Sequence, residues 1–172
     1  IANYIIAQEQ NNKRAYRKRA DCYSMLKQYK KAKADYDKVI TELDPSSQNC
    51  YNSRAIMWEH MKQYDKSLAD YNKAVELDTT KSWIYVNRGN IYKLLEKHDE
   101  AFSDYDKAIA LNSKNSYAYH RKGTALKNLK RFDEAIISLN KALIYAEVDT
   151  INKVWSSIKH LESVPILDVY ID

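Results

Sequence analysis

The sequence predicts an all-α chain built as a row of stacked antiparallel helix pairs, and three observations carry that expectation. The tetrads at Asp35–Lys38 (DYDK), Asp70–Lys73 (DYNK), Asp104–Lys107 (DYDK) and Ser138–Lys141 (SLNK) recur at spacings of 35, 34 and 34 residues, the mark of a repeat array. Each period holds two apolar stripes at helical spacing, separated by a short polar turn. The 172 residues include only two glycines and two prolines, too few for a fold of many tight turns, while 30% charged and 45% apolar content suits amphipathic helices.

Residues 1–12 place Tyr4, Ile5 and Ile6 before a polar QEQNN run and read as the tail of a preceding helix or an N-terminal extension. The first unit, 13–47, has Tyr16, Ala20 and Tyr23 on one helix and Ala32, Tyr36 and Val39 on the next; an extra residue near Ile40–Leu43 accounts for its longer spacing. Unit 48–81 repeats the pattern with Tyr51, Ala55 and Trp58, then Ser67, Tyr71 and Ala74. Unit 82–115 uses Tyr85, Gly89 and Tyr92, a turn around Glu96–His98, then Ala101, Tyr105 and Ala108. Unit 116–149 uses Tyr119, Gly123 and Leu126, then Ala135, Leu139 and Ala142. On every first helix a small residue sits between two bulky ones, so the stripe has a dent where a partner helix can approach. Each pair still leaves apolar surface that only the next pair can cover, so one unit alone should not fold. Beyond 149, Ile151, Val154, Trp155, Ile158 and Leu161 form a helical stripe over 150–163, suited to a closing helix. Val164 precedes Pro165, which ends helix there and leaves 164–172 as an extended tail.

Composition excludes several classes of function. No catalytic constellation is present: His60, His98, His120 and His160 are far apart, no HExxH or GxSxG occurs, and two glycines cannot build a phosphate-cradling loop. The chain is therefore expected not to be an enzyme, and no cofactor is expected. The tetrads do not suggest a metal site, because residues i and i+2 of a helix point roughly 200° apart, which separates Asp104 from Asp106. Cys22 and Cys50 show neither a disulfide pattern nor a CxxC, and two free thiols fit a reducing compartment such as the cytoplasm. No apolar run approaches the roughly 20 residues of a membrane span, and no signal peptide is visible, though the chain begins at Ile1 without an initiator methionine. The net charge of +5 is concentrated early: residues 1–47 carry ten Lys/Arg against six Asp/Glu, densest at Lys13, Arg14, Arg17, Lys18 and Arg19.

The 34-residue period carries Gly/Ala at its eighth position, an aromatic or Leu at the eleventh, Ala/Ser at the twentieth, a bulky residue at the twenty-fourth and Ala at the twenty-seventh. In this it resembles the tetratricopeptide repeat over about residues 13–149. Val39 departs at position twenty-seven, His98 replaces the aromatic of the turn found as Tyr29, Tyr64 and Phe132, and the terminal Pro survives only as Pro45. The resemblance implies a right-handed α-solenoid of about four units plus a C-terminal capping helix, whose first helices line a concave groove for an extended peptide or a partner's helix. Carrying the family's groove positions onto this chain gives Arg14, Arg17 and Lys18, then Asn49, Asn52 and Ile56, with Glu59 and His60 beyond them. Further along it gives Trp83, Val86, Asn87, Asn90 and Lys93, then Tyr117, His120, Arg121 and Thr124. None of these is expected to serve the repeat core.

Asn amides can bond a peptide main chain through both donors and acceptors, Trp83 is suited to anchoring, and basic groups at either end favour carboxylates. The expected partner is accordingly a protein or peptide segment of acidic character. The family's two-carboxylate clamp for chaperone tails is matched by Asn87 and Arg121, but Asn52, Ile56 and Tyr117 stand where Lys, Asn and Lys are required. Two rivals differ in class. RNA binding through the basic first helix would be steeply salt-dependent, yet Tyr16 and Tyr23 sit at core positions and leave no stacking platform. Self-association through Ile5, Ile6 and the 164–172 tail would show in sedimentation of a truncated chain.

Overall fold

The computed structural model describes residues 11–146, in which eight α-helices run as four antiparallel pairs. Helix α1 (Lys13–Met25) pairs with α2 (Tyr29–Lys38), and α3 (Gln48–His60) with α4 (Tyr64–Leu77). Helix α5 (Ser82–Leu94) pairs with α6 (His98–Leu111), and α7 (Ser116–Asn128) with α8 (Phe132–Ile144). The pairs stack in order as a right-handed α-solenoid. The expected closing helix at 150–163, the tail 164–172 and nearly all of the 1–12 segment lie outside the described residues.

The dent on each first helix is where the pair closes. Ala20, Ala55, Gly89 and Gly123 face Ala32, Ser67, Ala101 and Ala135, all buried. A Cβ built on Gly89 would lie 3.2 Å from the Ala101 carbonyl oxygen, and one on Gly123 the same distance from that of Ala135. Ser67 satisfies its buried hydroxyl by donating to the Ala55 carbonyl at 2.8 Å. The core is strung along the axis: one cluster joins Tyr36 and Val39 of the first pair to Cys50, Met57 and Trp58 of α3, and another joins Tyr71 of α4 to Ile84 and Ile91 of α5. Adjacent pairs thus cover each other's apolar sides, as the stripes require. Burial pushes the Cys50 thiol up to about 12, which leaves it inert, whereas Cys22 is exposed.

The additional residue of the first unit is absorbed by a single π-helical turn, Val39–Leu43, closed by an Asp44 N–H to Val39 carbonyl bond of 2.7 Å. One residue more per turn lets Val39 and Ile40 stay buried while the chain regains register for α3.

The scarcity of glycine misleads on one point, because all four hairpins close through tight left-handed turns. Lys27, Lys62, Glu96 and Lys130 adopt φ of 58°, 57°, 60° and 59°, just past the end of each first helix. The next N–H then reaches back to Tyr23, Trp58, Tyr92 and Leu126, a closure that usually recruits glycine. Burial of the flanking helices holds these side-chain-bearing residues in a conformation that costs about 1 kcal/mol each. Lys62→Gly is therefore expected to stabilise the protein by roughly 0.5–1 kcal/mol, read as a higher urea midpoint at unchanged slope.

A ladder of ion pairs, unseen in the one-dimensional pattern, runs along one edge of the stack. Arg19, Arg54 and Arg88 each grip an Asp sixteen residues on with both arms of the guanidinium: Asp35 at 2.6 and 2.7 Å, Asp70 at 2.8 and 2.7 Å, Asp104 at 2.8 and 2.7 Å. A second strut reaches the preceding pair, from Arg54 to Asp37 (2.6 Å), Arg88 to Asn72 (3.0 Å) and Lys122 to Asp106 (2.6 Å). The two aspartates of a tetrad therefore serve different pairs of helices, consistent with their pointing apart. At the fourth unit Lys122 and Ser138 replace the Arg and the Asp together.

Candidate functional site

Along the array α1 touches α3 and α5 touches α7, while Asn87 of α5 bonds Asn52 of α3, so the first helices follow one another on one face. The sequence-derived groove residues divide on it into three groups. Arg14, Lys18 and Asn49 are exposed near its start, whereas Arg17 is half-buried and donates to Asp21 at 3.1 Å. Lys13 pairs with Asp44 at 2.8 Å and Arg19 with Asp35, so three of the five basic residues of α1 are neutralised by neighbours. The Arg19 guanidinium also lies 5.3 Å from the Tyr16 ring and 5.9 Å from the Tyr23 ring, which occupies the aromatic faces a nucleic-acid base would need.

In the middle, the expectation that no groove residue serves the core is corrected. Val86 is fully buried with Tyr85, Tyr105 and Ala118, because its position on α5 faces α7 and not open groove. Asn52 is only 9% exposed and accepts from Asn87 Nδ2 at 3.4 Å across neighbouring first helices. Asn90 accepts from Tyr105 Oη at 3.0 Å, and the Thr124 hydroxyl donates to the His120 carbonyl at 2.8 Å. Part of the amide and hydroxyl capacity read as ligand-facing is thus spent inside the fold. Ile56 is half-buried against the cluster around Tyr71, and His120 is half-buried on α7.

The third group is open. Trp83 and Tyr117, at equivalent places on α5 and α7, are 39% and 40% exposed. Arg121 lies over the Tyr117 ring, 4.6 Å from its centre, and donates from Nη2 to the Tyr117 hydroxyl at 2.6 Å. That stacking holds the guanidinium against a platform instead of leaving it to sweep through solvent.

Two further residues at the sequence-derived groove positions, Glu59 and Lys93, interact electrostatically with Arg121, and a third residue, read from the sequence as core, interacts with Glu59 in turn. Glu59 of α3 and Lys93 of α5 are half-buried: burial pushes the Glu59 carboxyl up while His60, Arg121 and Lys93 draw it down. Burial pushes the Lys93 ammonium down, Arg121 adds to that, and Glu59 opposes it. The third is Tyr71, whose hydroxyl is buried with no hydrogen-bond partner and is pushed up by burial first, with Glu59 and Tyr117 adding to that. Its counterparts are satisfied, Tyr36 Oη by Asp21 at 2.8 Å and Tyr105 Oη by Asn90. In the first and third units the ninth residue, Asp21 or Asn90, supplies the acceptor, and in the second unit that residue is Ile56, which has none. Aligning the four units at that position would have exposed the orphan. Among the described residues no group of three or more His, Cys, Asp or Glu could hold a metal ion, and no helix is long and apolar enough to cross a membrane.

Models of the tetratricopeptide repeat match residues 14–47, 82–115 and 104–137, and a model described as a TPR repeat matches 61–96. No curated protein matches the chain. Among solved structures, MamA superposes with a TM-score of 0.73 at 22% identity, covering 84% of each chain. The TPR domain of Arabidopsis OM64 superposes with a TM-score of 0.63 at 26% identity, over 68% of this chain and 95% of that one. The first TPR of Spaghetti (RPAP3), bound to the HSP90 peptide SRMEEVD, gives 0.59 at 24% identity, over 69% and 96%.

Proposed function

Because this chain belongs to the tetratricopeptide-repeat family, we propose that it is a non-catalytic protein-interaction module holding an extended segment of its partner along the face of its first helices. One observation carries the reading: Trp83 and Tyr117, two large aromatic side chains, stand open at equivalent positions of successive first helices. Exposed aromatic groups beside Arg on a rigid scaffold are the usual anchors of an interface. The peptide carried by the Spaghetti domain supports the same use of this fold, and the cations Lys93 and Arg121, with Arg14 and Lys18 further along, favour a segment of acidic character. A chaperone-type acidic tail fits less well, since Asn52 is bonded internally, Ile56 is apolar and Tyr117 holds Arg121.

Selection from a random displayed-peptide library tests this. Peptides enriched on the wild type are expected to lose affinity tenfold or more against Trp83→Ala/Asn87→Ala, equivalent to about 1.4 kcal/mol. Enriched peptides that bind the double variant equally well would overturn the assignment of this face. Binding of single-stranded RNA that falls steeply with salt would favour the nucleic-acid alternative instead.

A further inference from the structure

We propose that the tip of the first hairpin is a docking point for an anionic membrane surface, with Met25 and Leu26 entering the headgroup layer and Lys27, Lys30 and Lys31 meeting the lipid phosphates and carboxylates. The inference stands apart from the inner-face reading, because it uses none of the residues that reading needs. Met25 and Leu26 are neighbours in the chain and, at 80% and 66% exposed, the two most open large apolar side chains among the described residues. They stand where α1 ends. The left-handed turn at Lys27 closes behind them, with Lys27 N–H donating to the Ser24 carbonyl at 2.9 Å and Gln28 N–H to that of Tyr23 at 2.8 Å. Tyr23 and Tyr29, on either side, pack on the core cluster that holds Tyr36 and Trp58. The pair is therefore held out on a fixed knob, and burying it requires little further ordering of the backbone.

Charge sets this tip apart from the other three. Residues 22–34 hold four lysines and no Asp or Glu, whereas the matching stretches 57–69, 91–103 and 125–137 each hold at least two acidic residues. Lys33 is tied to Asp37, and the Lys31 ammonium lies 5.4 Å from the centre of the Tyr23 ring. Lys27 and Lys30 are exposed and make no ion pair among the described residues. Protein interfaces favour aromatic and Arg anchors and are poor in Lys; residues 22–34 contain no Arg, and both of their tyrosines pack on the core. A bilayer asks for neither a pocket nor directed partners. Flexible ammonium groups stay at headgroup level while the apolar side chains beside them go deeper, so a convex knob of this kind fits without a matching cavity. Three lysines and two apolar groups give reversible attachment to the surface, not a span. Met61 and Leu95, the counterparts of Leu26, are half-buried in clusters shared with the preceding pair, so the rival occupant of the tip is more protein.

Co-sedimentation of the full chain with lipid vesicles tests this. The protein is expected to bind vesicles of mixed phosphatidylserine and phosphatidylcholine and not those of phosphatidylcholine alone, with affinity falling as salt screens the lysines. Lys27→Gln/Lys30→Gln/Lys31→Gln should weaken binding on the order of a hundredfold. Met25→Gln/Leu26→Gln should weaken it about tenfold. Lys62→Gln/Lys97→Gln, at the second and third tips, should change it far less. These changes touch exposed side chains, so every variant should melt with the wild type. Cys22, exposed one turn below the tip, takes an environment-sensitive fluorophore while the buried Cys50 does not, and its emission should shift to the blue on adding the anionic vesicles. No binding to either vesicle, equal binding to phosphatidylcholine alone, unchanged affinity in Met25→Gln/Leu26→Gln, or an equal loss in Lys62→Gln/Lys97→Gln would each overturn the proposal. So would a lower melting point of Met25→Gln/Leu26→Gln, the mark of a tip already covered by this chain or by a second copy. Polyglutamate that displaces the vesicles and binds regardless of Met25 and Leu26 would assign the tip to an acidic protein segment instead.

Discussion

Arg88→Ala is expected to lower the unfolding free energy by about 3 kcal/mol, far more than an ion pair on a protein surface would. Asp104 is 4% exposed; burial pushes its carboxyl up, and the two bonds from Arg88 draw it back down. The bond to Asp104 in turn raises the Arg88 guanidinium against its own burial. Neither partner is comfortable alone, so truncating one strands the other in a poorly solvated place. The same change removes the strut to Asn72 and the packing of the guanidinium near Tyr85 and Tyr92. An apolar pair, Arg88→Met with Asp104→Leu, is expected to recover most of the loss, because it removes both desolvation costs together. The fourth unit already shows such a joint change, with Lys122 and Ser138 in the two places. Urea unfolding of the three variants decides it: a loss below about 1 kcal/mol for Arg88→Ala would mean that the ladder behaves as exposed surface charge.

Gly89→Val is expected to cost about 3 kcal/mol by overpacking. A single methyl at that Cβ would already stand 2.8 Å from Tyr105 Cε1 and 3.2 Å from the Ala101 carbonyl oxygen. Neither neighbour yields easily, since Tyr105 is fully buried with its hydroxyl tied to Asn90, and the carbonyl belongs to α6 itself. Gly89→Ala is a different case. Ala20 and Ala55 occupy the equivalent positions opposite Tyr36 and Tyr71, so a small widening of the pair suffices, and alanine's better helix propensity offsets about 1 kcal/mol of it. Thermal melts of the two variants should therefore separate widely; equal melting points would show that α5 and α6 are not in close contact at this point.

The repeat period, the helix pairs and the small-against-bulky contacts were all legible in the chain, because each depends on residue size recurring at helical spacing. The added residue of the first unit was legible too, at the place where the π-helical turn takes it up. The left-handed closures at Lys27, Lys62, Glu96 and Lys130 were not, since composition signals such turns through glycine and here tertiary burial imposes them without it. In the site, Trp83, Tyr117 and Arg121 were named from their positions, whereas Asn52, Asn90 and Val86 were assigned to ligand and belong in part to the fold.

Local order in this protein follows from the chain itself: turn by turn, size and polarity recur at a spacing that only paired helices satisfy. Which polar groups remain available was decided by the stacking, because a side chain is spent or free according to what the neighbouring helix places opposite it. Asp21 and Asn90 meet tyrosine hydroxyls, Ile56 cannot, and so Tyr71 alone of those three buried tyrosines keeps its donor unused. No spacing rule within one unit contains that difference; it arises where two helices meet.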